Sequence, residues 1–358
     1  MSSVRIGFIP LSSSRAPLPS TRISVLNMFP HLRDAGFAPD IAHEPQRESL
    51  MPDVDAVDAE SIARRFDLVY IQKSCGASVV RLVRRLEAAG VRTVYGVCDV
   101  VEPEMVEATS ATAVVTEHLR QLYPAELRAK MHVVHDGIEQ PERRKTRFAD
   151  HHGSPRRPLQ AVLVTSVALS ALPVIGRPPP WLRVNIVGAY PVPSGRGQRL
   201  RWLHWELSQR SLRERISFAS HLLDRRLRRI AWDPVGVYQR LEEADIGIIP
   251  VDPEGPAYWK LKSENRLTLK MAIGLPVIAT PVPSYEPVVA PGRNAFFAYT
   301  RADWIAHFEA LRDPALRRRI GEQARASVLP RYSKETQAQA LIGTLQAALG
   351  RSPAEPAR

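Results

Sequence analysis

The residues with the clearest chemistry lie between Ala244 and Glu286, in ADIGIIPVDPEGPAYWKLKSENRLTLKMAIGLPVIATPVPSYE. Lys260, Lys262 and Arg266 gather where a Pro/Gly loop gives way to a helical segment. Cations at a helix N-terminus oppose the macrodipole unless an anion arrives, and the first-turn amides point at that same anion. The group therefore reads as a phosphate site, with solvated loop charge as the plain alternative. Ser263 is placed to cap the helix, and Asn265 to do likewise or to turn the chain, with Glu264 between them. Thr280, Ser284, Tyr285 and Glu286 follow PVIAT directly. If that segment is a strand, they stand at the C-terminal edge of a sheet, where open α/β folds take ligands. Glu286 can accept hydrogen bonds from ligand hydroxyls, or serve as a surface or capping carboxylate. Tyr285 can stack on a base or line the pocket. Asp99 ends VRTVYGVCD at the same kind of edge, as a carboxylate for substrate contact or general-base work, or as a helix cap.

These residues need a scaffold, and the chain alternates strand and helix signals to supply one. VRIGFIP (4–10), APDIAHE, DLVYIQK (67–73), VRTVYGVCD (91–99), TAVVTEH (112–118) and KMHVVHDG (130–137) are short apolar runs separated by helical periodicity. Ser20 is read as the cap of a helix carrying Val25, Leu26, Phe29 and Leu32 and ending at Gly36. After a stretch rich in Arg, His and Pro the plan repeats: LQAVLVTS (159–166), LRVNIVGAY (182–190), a helix over 202–213, short strands at RISFAS (215–220) and RIAWD (229–233), a helix over 237–243, then strands at 246–251 and 276–279. Beyond Tyr299 the pattern is helical. Alternation of this kind predicts parallel sheets with helices on both faces. The expected division is residues 1–140 as an N-terminal domain, 141–158 as a linker, 159–330 as a second domain, and 331–358 as a closing helix and a disordered tail.

Several other residues face the same sheet edges. The loop Ser12–Arg15, and Arg22 beyond it, can contact a ligand or simply be surface; His118 and His135 read as structural; Asp136–Gly137 reads as a turn. Trp232 and Asp233 can border a base, while Trp202 and Trp205 read as helix packing.

Composition narrows the partners. The chain has 358 residues, 44% of them hydrophobic and 24% charged, enough for two cores of ordinary size. The longest apolar stretch, 161–176, is broken by Thr165, Ser166, Ser170 and Pro173 and is too short to span a bilayer. MSSVRIGFIP lacks the regions of a signal peptide, and Cys75 and Cys98 read as free thiols, so a cytoplasmic location is expected. No metal-ligand spacing is present, and no metal is expected. The formal charge of +12 suits a phosphorylated substrate, an anionic membrane surface or nucleic acid. Clusters at 143–147, 196–201, 225–229 and 317–319 are solvated faces or a membrane-facing surface; none is interleaved with a nucleic-acid motif, which counts against nucleic acid.

NRLTLKMAIGLPVIAT resembles the donor-domain motif of GT-B glycosyltransferases, especially the family-four type. VVTEHLRQL with KMHVVHDGIE is similar to the end of that family's first domain, and DPALRRRIGEQARASVLPRYS to its closing helices. The resemblance implies two Rossmann-like domains with parallel sheets facing a cleft, the first for the acceptor and the second for a nucleotide-sugar donor. It implies metal-independent glycosyl transfer with no cofactor beyond the donor, to a glycan or lipid-linked acceptor in cell-surface polysaccharide assembly, at the inner membrane face. On that alignment Lys260, Lys262, Ser263, Glu264, Asn265, Arg266, Thr280, Ser284 and Tyr285 bind the donor, while Asp99 and Glu286 serve catalysis. The family's paired glutamates fall on Leu261 and Leu269, and its Arg and Lys after the second domain's first strand have only Arg177 as a counterpart. A nucleotide-sugar epimerase of the same fold and a noncatalytic nucleotide-sugar binding protein remain as alternatives.

Overall fold

VRIGFI forms the first strand of a parallel sheet, and nearly every later apolar run adds a parallel neighbour. The computed structural model describes residues 3–166, 169, 171–188, 196–252, 254–255 and 257–351; the tail SPAEPAR and the end of LRVNIVGAY, Ala189 and Tyr190, lie outside them. The chain divides into two compact units. One comprises Met1–Glu139, Lys260–Asn265 and Pro330–Arg358, the other Gln140–Trp259 and Arg266–Leu329.

In the first unit, β1 (Val4–Ile9), β2 (Phe37–Ile41), β3 (Leu68–Gln72), β4 (Arg92–Val97), β5 (Ala111–Val114) and β6 (Met131–Val133) pair in the order β2-β1-β3-β4-β5-β6, all parallel. Successive residues of β3 serve opposite faces: Val69 and Ile71 join one buried cluster, Leu68 and Tyr70 the other. The helices are α1 (Pro19–Ser24), α2 (Phe29–Asp34), α3 (Ala59–Arg65), α4 (Ala77–Ala88), α5 (Pro103–Ala108), α6 (Glu117–Gln121) and α7 (Ala125–Arg128). α4 buries Val79, Val80, Leu82, Val83 and Leu86 along one face, the spacing of an amphipathic helix.

In the second unit, β7 (Leu159–Val164), β8 (Leu182–Gly188), β9 (Leu227–Ala231), β10 (Ile246–Ile249), β11 (Val277–Ala279) and β12 (Phe296–Phe297) pair in the order β12-β11-β10-β7-β8-β9, again all parallel. Its helices are α8 (Arg196–Ser208), α9 (Leu212–Leu223), α10 (Gly236–Glu243), α11 (Asn265–Ile273), α12 (Arg301–Ala310) and most of α13 (Pro314–Tyr332). α14 (Lys334–Ala348) belongs to the first unit, where Leu341 and Leu345 pack with Ile6, Phe8 and Val94. Among the described residues no helix is long and apolar enough to cross a membrane.

Some local expectations are corrected. RISFAS is not a strand but part of α9. Its alternation of Ile216 and Phe218 is overruled by a capping box in which Ser211 and Glu214 satisfy each other's backbone amides. Ser20 does not cap a single long helix. Pro19 opens α1 behind Leu18, and the helix ends at Ser24. A 3-10 turn at Leu26–Met28 follows, and Pro30, with no amide to donate, sits in the first turn of α2. The helix read over 202–213 is α8 followed by a break and the start of α9. The stretch after residue 140 is tied down rather than bare. Lys145 is buried and donates to the carbonyls of Glu242 and Ala244, and the buried Arg317 donates to those of Ala149 and His151.

Candidate active site

The C-terminal edge of the first unit's sheet concentrates charge. β3 runs out at Lys73, a non-glycine residue held at φ +59, whose amide donates to the Gly96 carbonyl at 2.8 Å. A lysine in the left-handed region is strained, and such strain collects where a side chain must be aimed. It is aimed at Asp99, just past β4, with Nζ 3.6 Å from Oδ1. The other Asp99 oxygen accepts from Lys262 Nζ at 2.6 Å. Beyond β6, Asp136 Oδ2 accepts from the Ser263 hydroxyl at 2.7 Å, and its Oδ1 receives a longer contact of 3.4 Å from Ser24. His135 Nδ1 lies 2.5 Å from Glu264, whose side chain is only 2% exposed. Lys262, Ser263 and Glu264, three consecutive residues, thus each meet a polar partner from this sheet edge. All of them belong to the first unit.

The electrostatics follow from burial and pairing. Burial alone would raise the Asp99 carboxyl, but Lys73 and Lys262 outweigh it and hold it below the ordinary carboxylate range. A carboxylate clamped by two ammonium groups is a weak general base, which argues against the base role read for Asp99. Asp136 moves the other way: burial raises it, with Ser263 and Lys73 only partly opposing. Cys98, beside Lys73, is pushed up to about 12 by burial, so its thiol stays protonated and is no nucleophile at neutral pH. The two Glu264 oxygens and His135 Nδ1 are all buried without an aligned hydrogen bond, so the contact between them is one of close approach. The ring is fixed by an edge contact to Tyr332 at 5.0 Å between centroids, and the His135 amide donates to Gln337 Oε1 at 2.8 Å. Burial, and after it Glu264, raises the Tyr332 hydroxyl above the ordinary phenol range. A cavity of about 20 Å³, room for one water, is lined by Ser24, Gln72, Lys73, Cys98 and His135 among others.

The second unit holds a sparser edge. Thr280, after β11, is buried, and its hydroxyl accepts from the Val251 amide at 3.0 Å. Ser284 is buried with no hydrogen bond to its hydroxyl, Tyr285 is 2% exposed, and Glu286 is exposed on the turn that follows. Arg266, the second residue of α11, holds its guanidinium 4.9 Å over the Trp259 ring. Further along α11, Lys270 is 1% exposed, and its Nζ donates to the Arg266 carbonyl at 3.0 Å. Its stem lies over Gly247 of β10, where an added Cβ would come within 3.1 Å of Lys270 Cδ. Burial, and secondarily Arg266, pushes the Lys270 amine down to about 7. α11 ends at Gly274, φ +89, with the Leu275 amide closing back on the Lys270 carbonyl in a Schellman arrangement.

The residues read as donor-binding therefore divide. Lys260, Lys262, Ser263, Glu264 and Asn265 belong to the first unit with Asp99, and Arg266, Thr280, Ser284, Tyr285 and Glu286 to the second. Lys260 is exposed on a 3-10 turn. Ser263 does not cap α11, because its hydroxyl donates to Asp136 and the helix starts two residues later. Glu264 is buried beside His135. Tyr285 is a core side chain, whereas base stacking needs an open ring face. The sequence does not single out Lys73 or Lys270; it reads His135 as structural, and it reads Asp136, which accepts from Ser263, only as part of a turn. Lys270 was within reach, since Leu267, Lys270, Met271 and Gly274 share one face of a helix whose other members are buried.

Residues 256–343 match the family model described as glycosyl transferase-like. None of the curated proteins matches the chain at a significant level. Among solved structures, Anabaena HepE in complex with UDP and glucose aligns over 96% of this chain and 100% of its own, at TM-score 0.64 and 14% identity. A glycosyltransferase from Rickettsia africae aligns over 98% of this chain and 100% of its own, at TM-score 0.66 and 14% identity. The lipopolysaccharide outer core galactosyltransferase WaaB aligns over 96% and 99%, at TM-score 0.59 and 8% identity. The fold is that of the GT-B glycosyltransferases. In the GT-B frame the glycosyl transferase-like match begins just before Lys260 and runs through α11, β11 and the turn bearing Glu286.

Proposed function

We propose that the chain transfers a sugar from a nucleotide-sugar to a glycan or lipid-linked acceptor in cell-surface polysaccharide assembly, working against an anionic membrane surface. The observation that carries this reading is the glycosyl transferase-like match over 256–343, which contains α11 and the β11 turn. UDP in the HepE structure supports a nucleotide-sugar as donor. Arg266 and the first-turn amides of α11 take the charge that develops on the leaving diphosphate, with no metal ion needed. Preorganised donors of this kind act on the transition state more than on the bound substrate, so they raise turnover. Glu286, exposed after β11, accepts from sugar hydroxyls. In the first unit, Asp99 holds Lys73 and Lys262 in place for the acceptor side; it is an electrostatic clamp and not a base.

A second reading is a noncatalytic nucleotide-sugar binder. Leu261 and Leu269, standing where the resembling family has glutamates, favour it. The test is a thermal-shift screen against UDP, GDP, dTDP, ADP and CMP. A ligand at 100 times its Kd adds about 2.7 kcal/mol, which moves the midpoint by several degrees. One selective nucleotide whose shift is lost in Arg266→Gln is the expected result. No shift with any of the five would overturn both readings.

A further inference from the structure

α9 is packed by its inner face and apolar on its outer one. Phe218 and His221 are its buried residues. On the opposite side Leu212, Ile216, Ala219 and Leu223 fall within about 60° of one another at 100° per residue. Leu212 is 74% exposed, Ile216 66% and Leu223 81%. Three large aliphatic side chains in a row along a solvent-facing stripe contribute nothing to this unit's core, and such stripes mark a surface that is covered in use. Arg213 and Arg215 flank the stripe on its two sides. The preceding helix, α8, adds exposed Leu200 and Trp205.

The charge around the stripe identifies what covers it. Residues 196–229 contain ten arginines and three acidic residues, a net +7 of the chain's +12. The three acids are already engaged: Glu206 with Arg210, Asp224 with Arg226, and Glu214 in the capping box with Ser211. Arg201, Arg213, Arg225 and Arg228 are exposed and have no carboxylate partner among the described residues. Stacking the stripe on that of a second copy would set Arg213 and Arg215 against the same arginines. An anionic bilayer accepts both features, with aliphatic side chains at the acyl boundary, guanidinium groups on headgroup phosphates and an indole at the interface.

We propose that the outer face of α9, with the adjoining arginines and Trp205, is a docking surface for an anionic lipid bilayer. This deepens the membrane part of the function proposed above and does not depend on its nucleotide-sugar part. The test is cosedimentation of the full chain with phosphatidylglycerol vesicles and with phosphatidylcholine vesicles, at low and high salt. Binding to phosphatidylglycerol only, weakened by salt, is expected. The triple variant Leu212→Ser/Ile216→Ser/Leu223→Ser should bind at least tenfold more weakly, and so should Arg213→Glu/Arg215→Glu. Both variants should keep the wild-type melting temperature and any nucleotide-induced shift, because the substituted side chains are exposed. The proposal is overturned if the wild type does not bind phosphatidylglycerol or the triple variant binds as well as the wild type. It is also overturned if the stripe supports a concentration-dependent dimer that the triple variant abolishes while vesicles stay unbound.

Discussion

The C-terminal edge of the first unit's sheet and the α11–β11 region of the second treat their charges in opposite ways. In the first, Lys73, Asp99, Lys262, His135 and Glu264 are paired with one another. In the second, Lys270 is buried against a lone backbone carbonyl, and Glu286 stands exposed. A paired cluster fixes geometry and resists change, because removing one member strands the others. An isolated buried charge such as Lys270 costs stability, whereas an exposed one such as Glu286 is open to what comes from outside. Residue type alone does not separate the two cases: Lys262 and Lys270 lie eight positions apart in one short segment, and only their partners distinguish them.

Breaking the first unit's buried pair should have the largest effect. Glu264→Ala leaves His135 and Tyr332 without their partner, and denaturant unfolding should show a loss of about 3 kcal/mol or more, as for other buried pairs cut on one side. The matching change at the second unit's exposed carboxylate, Glu286→Ala, should stay within about 0.5 kcal/mol. Equal losses at the two sites would erase the contrast.

Lys270 should show the next largest effect, and in the opposite direction. Its amine sits at about 7 in the folded chain and near the ordinary lysine value when unfolded. Between those values the unfolded chain binds the extra proton, so this residue makes stability rise as pH climbs from about 7 toward 10. Lys270→Met should remove that rise and stabilise the protein at pH 7 by up to about 3 kcal/mol. Parallel pH–stability curves for wild type and variant would show that the ammonium is solvated.

A smaller effect belongs to the Asp99 clamp. A double-mutant cycle of Asp99→Asn and Lys262→Met should give a coupling of about 1–2 kcal/mol, since both side chains keep some contact with water. Asp99 is held below the ordinary carboxylate range, so its contribution is present above about pH 4 and is lost as pH falls through its folded value. A coupling unchanged at pH 2.5 would contradict the ion pair.

Much of this was legible beforehand. NRLTLKMAIGLPVIAT located α11 and β11, because an apolar strand after a helix-stopping glycine admits few other readings, and the alternating apolar runs implied parallel sheets. RISFAS misled because a six-residue apolar alternation cannot be told from a helix without its cap. The allegiance of Lys260–Asn265 to the first unit was not legible, since it depends on Asp99, His135 and Asp136, each more than 100 positions away. Periodicity reports which side of an element is buried and says nothing of such distant partners. That is also why Ser263 reads as a helix cap and Glu264 as a donor contact.

The most direct test of nucleotide-sugar transfer is release of nucleoside diphosphate from UDP-, GDP-, dTDP- and ADP-sugars by the purified chain, with Arg266→Gln beside it. Release from one donor, at least tenfold slower in Arg266→Gln, is the expected result. Tight nucleotide binding with no release from any of these donors would contradict catalysis and leave the noncatalytic binder standing.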